Sequence, residues 1–117
     1  MTEDLAIFKA CSDQTRLRIL FLLSERELCV CELMTLLKLP QGKISRHLAV
    51  LKNATLVSDR RDATWIYYSL TKANTGLKRR LYNYLRQERT HLQVVNEDIA
   101  RLSRLADQGK ICVPNPA

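Results

Sequence analysis

Leu39-Pro40-Gln41-Gly42-Lys43-Ile44-Ser45-Arg46-His47-Leu48-Ala49-Val50-Leu51 is the stretch that decides the fold. Pro and Gly punctuate secondary structure, so Leu39-Pro40-Gln41-Gly42 reads as the turn between two short helices, about 30–37 and 41–53. In the second helix Ile44, Leu48 and Leu51 recur at spacings of four and three and face the core. That leaves Gln41, Lys43, Ser45, Arg46 and His47 on the outward face. Short polar and basic side chains near the start of such a helix are what a reading helix offers to base edges in the major groove. Taken alone, the segment also fits a solvated amphipathic helix, and its flanks settle the choice.

Upstream, Gln14 to Ser24 is apolar almost all round (Leu17, Ile19, Leu20, Leu22, Leu23), with Ser12 or Asp13 available as N-cap, and reads as the central core helix. A shorter periodic segment with Leu5, Ile7, Phe8 and Cys11 precedes it. Downstream, residues 56–59 and 64–70 are β-branched and aromatic around polar Arg60-Arg61-Asp62-Ala63, which predicts a β-hairpin with Arg60 and Arg61 at its tip, placed for backbone phosphates or the minor groove. From about 73 to 107, Leu81, Leu85, Leu92, Val95, Ile99 and Leu102 follow alternating spacings of three and four, with the polar Glu88 filling one seam position, which predicts one long helix whose apolar seam wants a partner. Residues 108–117, with one Gly and two Pro, read as an irregular tail. The expectation is a mainly α domain over 1–107 with one β-hairpin: a winged helix-turn-helix, homodimeric through its terminal helices.

Charge agrees with a nucleic-acid partner. The chain carries +7, yet residues 1–37 hold four basic and six acidic side chains, whereas residues 38–61 hold six basic and one acidic. A local patch of Lys38, Lys43, Arg46, Lys52, Arg60 and Arg61 is the footprint of a protein that neutralises phosphates, although charge alone also fits a merely soluble basic surface. No nucleophile, base and orienting group stand together and no glycine-rich phosphate loop occurs, so neither an enzyme nor an organic cofactor is expected. Acidic Glu3, Asp4 and Asp13 interrupt the first thirty residues, and no apolar run approaches the length of a membrane span. The expected compartment is the cytoplasm, without membrane attachment. Thiols are kept reduced there, so the four cysteines point to metal or redox chemistry rather than to a disulfide framework.

Two of those cysteines, Cys29 and Cys31, sit just before the reading helix. Residues i and i+2 lie about 200° apart around a regular helix, so mid-helix thiols at this spacing would not converge on one ion. Cys29 with Glu32 three residues on has the form of a capping box in which Cys replaces Ser or Thr. An N-cap is extended, which would let Cys29 swing toward Cys31, and the helix N-terminus favours the thiolate. Binding there would distort the start of the helix that positions the reading helix, a coupling worth about 1–3 kcal/mol, or roughly 5- to 150-fold in operator affinity. Two small buried apolar residues are the bland alternative.

Phe8-Lys9-Ala10-Cys11-Ser12-Asp13-Gln14-Thr15-Arg16-Leu17-Arg18-Ile19-Leu20, Glu27-Leu28-Cys29-Val30-Cys31-Glu32-Leu33, Lys43-Ile44-Ser45-Arg46-His47-Leu48 and Trp65-Ile66-Tyr67-Tyr68-Ser69-Leu70 together resemble the ArsR/SmtB family of metalloregulatory repressors over roughly residues 5–70. The resemblance implies a homodimeric repressor that binds double-stranded operator DNA and leaves it when a metal or metalloid binds. The Cys29 to Glu32 stretch is similar to the thiolate site of the arsenic and antimony sensors, so As(III) or Sb(III) is the implied inducer. The best-known arsenic-sensing pattern has a third Cys where this chain has Met34. The third sulfur is then Cys112 in the tail, with Cys11 or an external thiol as alternatives, and core filler is the simpler role of Cys11. A cadmium or lead site and a thiol-redox switch at the same cysteines are alternatives within this fold. A dimeric interaction module with an incidental basic patch is the alternative outside it.

Overall fold

A computed structural model describes residues 1–89 and 91–107; the tail at 108–117, and Cys112 with it, lies outside the described residues. The order of elements is α1 (Thr2–Cys11), α2 (Gln14–Leu23), β1 (Leu28–Cys29), α3 (Val30–Leu37), α4 (Gln41–Asn53), β2 (Val57–Asp62), β3 (Trp65–Leu70), α5 (Gly76–Gln87) and α6 (Gln93–Asp107). It is the winged helix-turn-helix expected, with α2 at its centre. Asp13 caps α2 by accepting from the Arg16 amide at 3.0 Å, and Ile19 to Leu23 are all buried. An apolar helix of this kind is stable only when neighbours cover every side, and α1, α4, α5, α6 and β3 all pack on it.

Three helices away from the turn, the chain departs from expectation. The long C-terminal helix is two: α5 ends at Gln87 and α6 starts at Gln93. A continuous helix from 76 to 107 would run ~48 Å, longer than the 44 Å of the whole molecule. Breaking it lets the second half of the stripe fold back, and Leu85, Val95 and Leu102 are buried in the chain's own core. Asp98 is buried too, only 2% exposed, and takes a two-pronged grip from Arg18 of α2 through Nε at 2.8 Å and Nη2 at 2.9 Å. Arg101, one turn on, donates to the Leu36 carbonyl near the end of α3 and sits 3.5 Å from Asp98. This cluster clamps α6, α2 and the C-terminal end of α3 together. At the other end of α5, Thr75 caps the helix and the Tyr82 hydroxyl donates to the Leu56 carbonyl, which ties α5 to the entry of the hairpin.

The hairpin is longer and its loop tighter than its composition suggests. Cross-strand pairs continue through Arg60 opposite Tyr67, Arg61 opposite Ile66 and Asp62 opposite Trp65, so the turn is only Ala63-Thr64. Ala63 takes the left-handed conformation (φ 56°) that Gly or Asn normally supplies, which is why no turn residue announced it. Arg60 and Arg61 are therefore strand residues and not the tip. A third strand was also missed. Leu28 and Cys29 add to the free side of β3, opposite Tyr68 and Tyr67, giving the order β1-β3-β2.

Candidate sensor site and nucleic-acid interface

Cys29 occupies two structural roles at once. Its backbone closes β1 against Tyr67 of the wing, and its extended dihedrals (φ −90°, ψ 167°) make it the N-cap of α3. The reciprocal cap foreseen from the sequence is present: the Cys29 amide donates to the Glu32 carboxylate at 2.9 Å while its sulfur accepts from the Glu32 amide. One residue therefore joins wing and sensor helix.

The thiol itself is not the acidified group expected of a helix N-terminus. Cys29 is only 3% exposed, and burial pushes its pKa above the ordinary thiol value. The Glu32 amide pulls the other way, the Glu32 carboxylate adds to the rise, and burial wins. Desolvation disfavours the charged form more than one capping amide favours it. The same holds for Cys11, half-buried against the core beside α2, whose thiol is also pushed up mainly by burial and which acts as core filler.

Cys29 and Cys31 open onto a single cleft of about 350 Å³. Val30 and Met34 form its α3 wall, Gln41 at the start of α4 forms its floor, and Thr64, Trp65 and Ile66 at the hairpin turn close the far side. With Cys29 extended as the cap, both cysteines line one cavity. Among the described residues no group of three or more His, Cys, Asp or Glu is positioned to hold an ion; the sulfur-bearing side chains that line the cleft are Cys29, Cys31 and Met34. Cys112, expected as a third donor, lies outside the described residues. Trp65 and Ile66 were not foreseen as part of this site, because only the pairing of β1 with β3 carries them to it.

The reading helix follows a tight connection in which Lys38 is left-handed (φ 56°) and Pro40 serves as N-cap, its carbonyl accepting from the Lys43 and Ile44 amides. Ile44, Leu48 and Leu51 are fully buried, while Gln41, Lys43, Ser45 and Arg46 stand exposed as predicted. His47 is different. It is half-buried, with Nδ1 3.3 Å from Nη1 of Arg16 and 3.8 Å from the Asp13 carboxylate. The shorter contact is a hydrogen bond and the longer is not. Since Arg can only donate, Nδ1 of His47 is the acceptor in that bond. Arg16 also donates to the Ala10 carbonyl at 2.8 Å, which ties the end of α1 to the reading helix through His47.

Two cations of the predicted patch are neutralised. Lys52 pairs with Asp59 at 3.0 Å, and Arg60 grips Glu27 through Nε and Nη2 while lying 4.6 Å over the Tyr67 ring. Arg61 is exposed on the opposite face of the strand, the face that carries Asp59 toward α4. An outward basic helix thus stands beside a wing, and the cleft lined by Cys29 and Cys31 borders the start of that helix and the turn of the wing. Those parts are the parts of a winged helix-turn-helix DNA-binding regulator.

Comparison with known proteins agrees. Residues 13–59 match the model of the bacterial regulatory proteins of the arsR family. Over 108 residues, 91% of this chain and 92% of the relative, the chain is 39% identical to the arsenical resistance operon repressor of Escherichia coli. It is 52% identical over 65 residues to the arsenic resistance transcriptional regulator ArsR1 of Pseudomonas putida, which covers 55% of this chain and 51% of that one. Among solved structures, the homodimeric winged helix-turn-helix DNA-binding domain Mb0332 from Mycobacterium bovis superposes with a TM-score of 0.63 at 28% identity, over 73% of this chain and 76% of that one. The chain belongs to the ArsR family of bacterial regulatory proteins. No helix among the described residues is long and apolar enough to cross a membrane.

Proposed function

We propose that this chain is an arsenical-responsive repressor that holds operator DNA as a homodimer and releases it when As(III) or Sb(III) binds the Cys29 and Cys31 sulfurs. The observation that carries the reading is the shared cleft: both cysteines, the first residue of the reading helix and the turn of the wing line one cavity. A ligand that draws the two sulfurs together acts on the β1 pairing with the wing and on the cap of α3 in the same step. Trivalent arsenic is a soft acceptor suited to sulfur. Each As–S bond forms as a thiol displaces hydroxide, which leaves as water with the thiol proton, so arsenic stays trivalent and no proton is released. Cys112 supplies the third sulfur for inorganic arsenite in this reading.

The DNA face consists of Gln41, Lys43, Ser45, Arg46 and His47, with Arg61 reaching from the wing; Arg60 contributes by holding Glu27 and Tyr67 in place. The dimer forms through α1 and the C-terminal helices, because Leu5, Phe8 and Tyr84 leave large apolar side chains exposed there. Its relatives' names, an arsenical resistance repressor and a homodimeric DNA-binding domain, support this reading.

The test is operator release measured by the anisotropy of labelled upstream DNA. Cys29→Ser and Cys31→Ser proteins are expected to bind that DNA within about threefold of the parent and to ignore arsenite, which removes the roughly 5- to 150-fold coupling. Normal arsenite release by both variants would place the sensing site elsewhere. X-ray absorption of the arsenic-loaded protein counts the sulfurs: three in the parent and two in Cys112→Ser.

A further inference from the structure

The guanidinium of Arg16, at the start of α2, is held at three points by two other elements. Nε donates to the Ala10 carbonyl at 2.8 Å and Nη2 to the Lys9 carbonyl at 3.4 Å, both in the last turn of α1. A guanidinium is planar and its N–H groups form a rigid fork, so holding it through Nε and Nη2 also fixes where Nη1 points. Nη1 meets Nδ1 of His47 on the reading helix at 3.3 Å. The other group near that nitrogen, the Asp13 carboxylate at 3.8 Å, is out of hydrogen-bond range and already caps α2 through the Arg16 amide at 3.0 Å. We propose that Arg16 is a positioning residue for base reading: it holds His47 by Nδ1 so that Nε2–H is donated to N7 of an operator purine.

The polarity follows from a single hydrogen bond. Arg can only donate, so a ring held through Nδ1 accepts there and, when neutral, carries its one proton on Nε2. A donor is what N7 of guanine or adenine takes in the major groove. An unrestrained histidine would turn about its side-chain torsions and offer either nitrogen, as donor or as acceptor, and would select a base edge poorly. Held from α2, the ring presents one edge with one polarity. The groove around it is bordered by Thr15, Lys43 and Arg46 as well, so the held ring lies among the cations of the reading helix and not on its buried face. This proposal rests on the operator-binding reading of α4 and adds a residue outside that helix which sets what the helix reads.

The test removes one acceptor at a time from the DNA. The full-length protein is titrated into labelled duplexes of the footprinted upstream operator in which each purine in turn is replaced by its 7-deaza analogue, which lacks the N7 acceptor. At one purine the parent is expected to lose about fivefold in affinity, the worth of one neutral hydrogen bond. His47→Ala and Arg16→Ala are each expected to bind that duplex and the unmodified one within about twofold of each other, and the double variant to do the same, because the two side chains act through one contact. A merely structural Arg16 would weaken binding to every duplex alike and leave the fivefold ratio standing, which would overturn the proposal. So would the lack of any purine whose ratio His47→Ala removes. Should far-UV circular dichroism show that Arg16→Ala does not fold, long-range proton–nitrogen NMR of the parent decides. His47 and His91 are the only histidines in the chain, so a His91→Gln variant assigns the ring signals. The His47 proton is expected on Nε2, and a proton on Nδ1 would overturn the proposal. Binding to the upstream DNA no tighter than to competitor DNA would instead remove the operator-binding reading on which it rests.

Discussion

The two ends of α3 are held by opposite kinds of chemistry. Its C-terminal end is clamped by charge: Arg101 donates to the Leu36 carbonyl, and the buried Asp98 that steadies Arg101 is gripped by Arg18. Its N-terminal end is held by a two-residue strand, a cap built on a sulfur and the wall of an open cleft. In the proposed function such a helix would act as a lever, clamped at one end and moved at the other. Cys29 and Cys31 sit at the N-terminal end, in a cleft bordered by the turn of the wing and the start of α4, where a displacement would reach both.

The sharpest way to break this comparison is at the clamp. Asp98→Ala leaves two guanidinium groups without their buried carboxylate, and removing one partner of such a cluster costs about 3 kcal/mol. The urea midpoint is expected to fall accordingly while arsenite still releases whatever operator complex the folded protein forms. A loss below about 1 kcal/mol would mean that this end is no firmer than the other.

A smaller effect belongs to the N-terminal end and follows from the buried thiol of Cys29. Burial raises the pKa of Cys29, and it does the same to Cys11, Tyr68 and Tyr82. Groups raised in the folded state hold their protons more tightly there than in the unfolded chain. Their stabilisation is complete below the ordinary thiol pKa of 9.0 and is lost as pH climbs through the raised values. Stability measured by urea unfolding is therefore expected to be level from neutrality to about pH 8.5 and to drop beyond it, with the onset blunted in Cys29→Ala. A rise in stability across that range would contradict the burial argument.

The smallest effect separates two arginines that look alike in sequence. Arg46 is exposed on the reading helix, whereas Arg60 is already paired with Glu27. Arg46→Ala is expected to lower the salt dependence of operator binding by about one phosphate contact, and Arg60→Ala to leave that slope unchanged. Equal slopes for both variants would return Arg60 to the DNA face.

What could be read from the sequence was local. The cap of Cys29 by Glu32 spans three residues, the central helix announces itself through five consecutive buried positions from Ile19 to Leu23, and the reading helix follows from the spacing of Ile44, Leu48 and Leu51. What escaped depends on partners distant in the chain. β1 is two residues long and exists only because Tyr67 and Tyr68 lie beside it. The break between α5 and α6 carries neither Gly nor Pro, and the contact that holds α6 back on α2, Asp98 with Arg18, joins residues eighty apart. The acidified thiol was inferred from the helix terminus alone, a short-range effect that tertiary burial of Cys29 overrides. For the candidate site, the two cysteines at the start of α3 were legible, while Trp65 and Ile66, which β3 brings beside them, were not.

The lever is tested most directly by a crystal structure of the arsenic-loaded protein set beside the metal-free form. Arsenic bonded to both Cys29 and Cys31, with the pairing of Cys29 to Tyr67 shifted and the Arg101 contact to Leu36 unchanged, is the predicted result. Sulfurs pointing apart with no arsenic between them, or an undisturbed wing beside a displaced α6, would contradict it.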